Sequence, residues 1–452
     1  MTEARESPRE SHSLTEAAVA GAIETGVPLG SEVTAGQVGL LRGSAYSVAA
    51  LVIAGLTGAV FWLVAARLYP GADVGRASGL FTSVLFVNFL SNLGIPIAAA
   101  RFGDQARRDY DVIFTVALLA SAAGSAIAAV GYLLIVDAPA LDVLLRWGFG
   151  PASLVFALAV VGVSTAILVD VRLMVARRWG ALLVRVAAVG QLRIPLLWFD
   201  WGLDDALWLF LLSVVPPAGS GFVGVVLLRR MAGVRYRLRP RPRDLAAAVR
   251  YAGVNYLATL AADGVRFALP VLVLVNVTPT ANASFYVAWS VTMIAFLVPT
   301  TIGQVLLVEA PRVEDRWGHV RTSAVLSGLI MTVAAVAVWL GSDLVVTLYG
   351  AGYREASDIL PRLMLAGVPW SITSVALADA RVRRDSRATL AITLALAASI
   401  IGPALALVPT GGIGTAADVW LSGHVATSTI ALVVLLRARS RRAAGPWSAT
   451  PA

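Results

Sequence analysis

The 452-residue chain has no cysteine, and its 36 basic residues are all arginine, because no lysine occurs. Without cysteine there is no disulfide, no thiolate metal site and no thiol nucleophile, and the redox compartment leaves no trace. Without lysine there is no phosphate loop of the GxxxxGK[ST] kind and no Schiff-base chemistry. His12, His319 and His424 are too far apart in sequence for a zinc motif. Charge is scarce too: 14% of residues are charged and 58% are hydrophobic, against roughly 25% and 45–50% in a soluble domain. These absences leave a polytopic, all-α membrane protein that needs no cofactor or metal and works by transport or on lipids.

The apolar residues gather into twelve long, nearly uncharged runs. They cover residues 43–66, 77–100, 112–136, 147–169, 180–201, 206–228, 251–275, 283–308, 322–340, 359–378, 388–408 and 418–436. The first, at 24 residues, would be about 36 Å long as a helix, enough for a hydrocarbon core of about 30 Å. Residues 1–42, with six glutamates, read as a polar tail expected to be disordered, with a short helix near 14–23, rather than as a cleavable signal. Residues 229–250 form an arginine-rich linker, a topology anchor against anionic headgroups by the plainer reading and a regulatory or partner segment by the other. Residues 437–452 are a basic tail.

The net charge of +9 does not argue for a nucleic-acid partner, because the arginines lie between apolar runs. Of the 36, 28 fall on one set of loops and tails, and five, counting Arg362 at a span edge, on the other. Arginine-rich loops belong in the cytoplasm, so both termini are expected there, in a multi-pass plasma-membrane protein. Trp147, Trp179, Trp201, Trp208, Trp339 and Trp420 fall near span ends, as an interfacial belt would.

A shift of 209 residues lays each of the first six spans on one of the last six. It aligns Pro70 with Pro279, Gly94 with Gly303, Asp170 with Asp379, Arg172 with Arg381, and Arg178 with Arg387. Six spans per half give both halves the same orientation. The expectation is two parallel six-helix lobes, 43–228 and 251–436, around a V-shaped cavity. Such a duplication suits alternating access.

Four charged residues lie within predicted spans and more than four residues from either end: Arg185, Arg193, Asp263 and Arg266. The shift pairs them with Leu394, Gly402, Ala54 and Thr57, so the scaffold does not demand charge at these places. Arg185 and Arg193 are about 12 Å apart along a helix and about 80° around it, while Asp263 and Arg266 are spaced to pair. Together they would build a cationic cavity for an anionic headgroup such as a pyrophosphate, which arginine grips bidentately. The competing reading has the two span-five arginines snorkelling to opposite faces and the other two as a structural pair. Asn88, Asn92, Gln191, Asn255 and Gln304 are secondary polar candidates, for the cavity or, more plainly, for interhelical hydrogen bonds. Asp170 and Asp379 read as scaffold rather than proton carriers. Pro96, Pro195, Pro270 and Pro299 mark expected kinks.

Three segments carry a resemblance. ARLYPGADVGRASGLFTSVLFVNFLSNLGIPIAAAR resembles the span-one to span-two region of Wzx-type polysaccharide flippases. LYGAGYREASDILPRLMLAGVPWSI resembles their ninth-to-tenth span junction, and GGIGTAADVWLSGH the glycine-rich start of their twelfth span. The likeness runs over roughly residues 40–437 and points to the multidrug/oligosaccharidyl-lipid/polysaccharide exporter superfamily. It implies flipping of an undecaprenyl-pyrophosphate-linked oligosaccharide to the outer leaflet. It also implies membrane lipids and polysaccharide-assembly glycosyltransferases or a polymerase as partners. A multidrug exporter of the same superfamily is the nearest alternative, although cationic drugs would favour an acidic cavity. A major facilitator transporter fits fewer segments. A lipid-dependent glycosyltransferase or polymerase would rest on Asp204 and Asp205, in an outer loop too short to hold a sugar site.

Overall fold

A computed structural model describes residues 29–105, 110–199, 201–238, 242–309 and 315–443. Within them the regular structure is entirely helical. The first half contains α1 (Leu29–Leu68), α2 (Gly71–Ser91), α3 (Ile95–Gln105), α4 (Tyr110–Ile135), α5 (Phe149–Val175), α6 (Trp179–Arg193) and α7 (Asp205–Met231). The second contains α8 (Pro242–Leu274), α9 (Pro279–Glu309), α10 (Arg316–Leu340), α11 (Ser342–Tyr349), α12 (Arg354–Leu365), α13 (Gly367–Val382) and α14 (Ser386–Ala443).

Among the described residues, nine helices are long and apolar enough to cross a membrane. Twelve spans are nevertheless traceable. The last of the nine folds back on itself at Gly412 (φ 64°, ψ −154°), and Ser399 Oγ, donating to Gly423 O at 3.1 Å, ties its two arms into a hairpin. The first and seventh spans are the apolar parts of α1 and α8.

Several boundaries differ from those read in the sequence. Helix α1 begins at Leu29, ahead of the predicted first span; the expected short helix near 14–23 lies outside the described residues. Hydropathy marks the part of a helix that fits in lipid, whereas backbone hydrogen bonding carries the helix beyond it. The second span breaks into α2 and α3 at Leu93 and Gly94, both with positive φ, just ahead of Pro96. Pro195 opens a 3₁₀ turn, Pro195–Trp198, rather than a kink. The tenth span is divided between α12 and α13. Pro270 and Pro299 sit within continuous helices. The linker shrinks to an extended strap after Met231. The strap is pinned to the first half by Arg235 N–H, which donates to Asp111 Oδ2 at 2.8 Å, and by Arg237 N–H, which donates to Thr115 Oγ1 at 3.2 Å.

The packing follows the repeat. Helix α5 lies against α4 and α7, as α13 lies against α10 and α14; α1 packs on α6, as α8 packs on α14. Across the halves, α9 meets α2, and α8 meets α2 and α3. The α2–α9 crossing is so close that a Cβ on Gly75 would sit 1.7 Å from Pro279 O, and Asn282 Nδ2 donates to Gly75 O at 2.9 Å. A Cβ on Gly94 would come within 2.2 Å of Ala252 O, so the break between α2 and α3 is also where α8 approaches. Tyr256 Oη donates to Leu90 O at 2.9 Å, and Phe89 stacks on Phe267 at 4.6 Å. The halves therefore touch along two seams, with space left between them.

A side chain at position 75 must push backbone away from backbone. Gly75→Val is expected to lower thermal stability by about 1–3 kcal/mol or more, measured by melting the purified protein in a single detergent; a melting curve superimposable on that of the unaltered chain would contradict the crossing.

Candidate functional site

The space between the halves is a cavity of about 620 Å³. Its wall draws on α1, α2, α6, α8 and α9, and on the second-half helices α13 and α14. Most of that wall is apolar or aromatic. Three charged residues line it, Arg193, Asp263 and Arg266, all of them expected from the sequence.

Arg193 is the last residue of α6, which packs closely on α1 through Gly190 and Thr57. That packing sets the guanidinium over the Phe61 ring, 4.9 Å from its centroid, a favourable cation–π geometry. It also lies beside Gly58, where a Cβ would sit 3.5 Å from Nη2. Arg193 is only 8% exposed, its Nε has no hydrogen-bond partner, and no ion pair reaches it among the described residues. Tyr286 is the nearby polar ring, packed edge-on against Trp62 at 5.0 Å.

Arg266 and Asp263, one turn apart on α8, form an ion pair and present it to the cavity half exposed. Their charges cancel, so the cavity carries one uncompensated positive charge, that of Arg193.

Arg185 does not line the cavity. Asp170 holds it by two hydrogen bonds, one of them Nε to Oδ1 at 2.7 Å, and Nη1 donates to Ser220 Oγ at 2.7 Å. The turn between α5 and α6 is centred on Arg177 and Arg178, so Asp170 and Arg185 lie equally far from it and meet as the helices run antiparallel. The expected set of three arginines against one aspartate thus loses one arginine to the interior of the first half. Asp379, the repeat partner of Asp170, is gripped by Arg316 and Arg383 instead.

Four of the five secondary polar candidates also lie elsewhere. Asn92 Nδ2 donates to Asn88 Oδ1 at 3.2 Å, and Ser164 Oγ to Asn92 Oδ1 at 3.5 Å, in a polar track inside the first half. Gln191 and Gln304 are exposed and outside the cavity wall. The side chain of Asn255 is outside the described residues.

Reasoning from sequence missed an aromatic wall. Trp420, expected in the interfacial belt, is 3% exposed and faces the cavity with Trp289, Phe296, Trp370 and His424. The spacing of His424 four residues after Trp420, which puts both on one helix face, was the available signal. Trp147, Trp201 and Trp339 do remain exposed.

No protein-family model matches the chain, and no curated protein matches it. Solved structures do. The inward-facing conformation of a multidrug resistance MATE family transporter of the MOP superfamily superposes with a TM-score of 0.61, at 17% identity, over 88% of this chain and 98% of that one. The outward-facing conformation of such a transporter gives 0.57, at 17% identity, over 90% and 96%. The fold is that of the MATE transporters. A MOP superfamily transporter from Pyrococcus furiosus, for which reverse polarity of the binding pocket suggests a different function, gives 0.53, at 16% identity, over 90% and 94%. The shared architecture is the helical fold of those polytopic membrane transporters.

The Asp170–Arg185 pair is structural on this geometry. Asp170→Asn should leave a guanidinium without its counter-charge and cost up to about 3–5 kcal/mol, read as a lowered thermal midpoint; an unchanged midpoint would mean the pair does not hold α5 to α6.

Proposed function

We propose that the protein is an alternating-access exporter of amphipathic molecules that carry negative charge. The observation that carries this reading is Arg193, a buried guanidinium without a carboxylate partner, set in a cavity whose other charges cancel. A lone charge in a low-dielectric site costs several kcal/mol, and an anionic cargo would offset that cost by supplying bidentate hydrogen bonds. A cation would meet repulsion there. The aromatic wall suits the apolar part of the same cargo.

The cavity volume, about 620 Å³, lies within the span of small-molecule sites, roughly 300–1,000 Å³. Cargo can therefore enter whole, as a small amphiphile, or by a headgroup whose tail stays in the bilayer. The likeness to multidrug MATE structures favours the first form. The second is an undecaprenyl-pyrophosphate-linked oligosaccharide, favoured by the resemblance of residues 40–437 to Wzx-type flippases together with the unpaired arginine. In that form the partners are polysaccharide-assembly enzymes, and the arginine-rich side faces the cytoplasm of a plasma membrane.

Proteoliposomes test the charge rule. Loss of a charge-assisted hydrogen bond is worth about 1.5–3 kcal/mol, so Arg193→Gln should slow movement of an anionic amphiphile by roughly tenfold or more, with its thermal midpoint kept. Transport of cationic dyes but not anions, or normal transport by Arg193→Gln, would overturn the proposal. A deletion strain separates the two forms: lipid-linked sugar accumulates on the cytoplasmic leaflet only if the cargo is the lipid-linked one.

A further inference from the structure

Where α1 and α8 end, the halves touch in two places that the repeat makes equivalent. At one of them the end of α8 meets the first half through apolar groups. Leu274 and Ala140 are both buried there, and a Cβ on Gly79 would come within 2.4 Å of Leu274 Cδ1 and 3.0 Å of Ala140 Cβ. At the other, the end of α1 meets α11 through an arginine. Arg67 Nε donates to Leu348 O at 2.5 Å, and Nη2 donates to Thr347 O. The 209-residue shift puts Asn276 in the place of Arg67, but Asn276 Nδ2 turns back to Leu272 O of the helix it follows, at 2.7 Å. The segment equivalent to Thr347–Leu348 is Ala138–Pro139, which is not helical. The arginine contact is thus an addition at one of two related places.

The two contacts differ in how they open. An apolar contact loses its transfer free energy when water enters, in proportion to the area exposed. Arg67 is already exposed. Its acceptors are orphan carbonyls of the last turn of α11 (Ser342–Tyr349), the negative end of that helix. Guanidinium and carbonyls can exchange these bonds for bonds to water at little net cost. The Leu274–Ala140 contact is therefore suited to stay shut as a pivot, and the Arg67 contact to open. Each side of the Arg67 contact is also fixed to its own half. Tyr69 Oη donates to Leu197 O at 2.7 Å, which ties the end of α1 to the turn after α6. Tyr349, in the last turn of α11, is buried against Tyr353 at the start of α12, with the rings 5.9 Å apart. Breaking the Arg67 bonds separates the halves rather than bending a loose helix end.

We propose that Arg67 and the last turn of α11 form a releasable clasp between the halves: intact, it shuts the cavity at the end where α1 and α8 finish, and its release opens the cavity there. This rests on the alternating-access reading and adds to it the contact that must break.

The test uses the full chain in nanodiscs, where the absence of cysteine lets introduced thiols carry spin labels. Labels on Asp142→Cys and Glu355→Cys, both exposed, report the distance between the halves at the clasp end. Labels on Arg178→Cys and Arg387→Cys, exposed repeat partners, report it at the other end. With Arg67 intact, the short distance should dominate at the clasp end. Arg67→Gln removes the guanidinium fork and should raise the ratio of long to short distances there roughly threefold or more, with a matching shortening at the other end. Arg67→Lys, which keeps the charge beside α11, should fall between the two. Distributions unchanged by Arg67→Gln, or widening at the clasp end without shortening at the other, overturn the clasp. Farnesyl pyrophosphate added to the chain with Arg67 intact tests alternating access separately. Opposed changes at the two ends, with no effect of Arg67→Gln, leave that reading standing without the clasp; distances fixed under every condition remove both. Melting curves establish that each variant is folded, and Arg67→Lys carries the test if Arg67→Gln is not.

Discussion

The organising constraint is a positive charge held out of water without a counter-charge among the described residues. The other well-buried arginines of the described residues are paired: Arg172 with Asp111, Arg185 with Asp170, and Arg316 and Arg383 with Asp379. Arg193 has only the face of Phe61, and a cation–π contact is worth about 2 kcal/mol when desolvated, less than the several kcal/mol of lone-charge burial. The local structure accepts that deficit. The α1–α6 packing, the bare Gly58 and the end of α6 all deliver the guanidinium to the cavity rather than to a carboxylate. Under the proposed function, an anionic cargo would offset that cost.

The duplication explains why the site is there. Repeated packing gives two bundles with matching internal contacts, and their symmetric aspartates serve as anchors, although each finds its arginine on different helices. The halves depart from one another at the cavity. Arg193 stands where the second half has Gly402, and the aromatic wall stands where the first half has aliphatics. The cavity accordingly has two unlike ends, one with net charge in the first half and one aromatic in the second.

Much of this fold was legible in the sequence, because burial in lipid demands long uncharged runs and the repeat shows in proline, aspartate and arginine matches. What was not legible depended on three-dimensional facing. Hydropathy located the tenth to twelfth spans, and the 409–417 connection that holds the turn at Gly412, but not the division near Ala366, which is a backbone event. Arg185 and Arg193 look equivalent along one helix; only the antiparallel turn at Arg177 gives Arg185 its aspartate and denies one to Arg193. Trp420 passed as a belt residue because nearness to a span end says nothing about which way a side chain faces. The Asp263–Arg266 pair was readable from its spacing alone, since three residues on a helix fix the contact.

A natural chain without cysteine makes the cavity's electrostatics directly measurable. With Met293→Cys, which lines the cavity, as the sole thiol, labelling rates of anionic and cationic methanethiosulfonate reagents can be compared with their rates on a free thiol. The account predicts that the anionic reagent is favoured at this position and that adding Arg193→Gln abolishes the preference. A preference for the cationic reagent, or one that ignores Arg193, would contradict it.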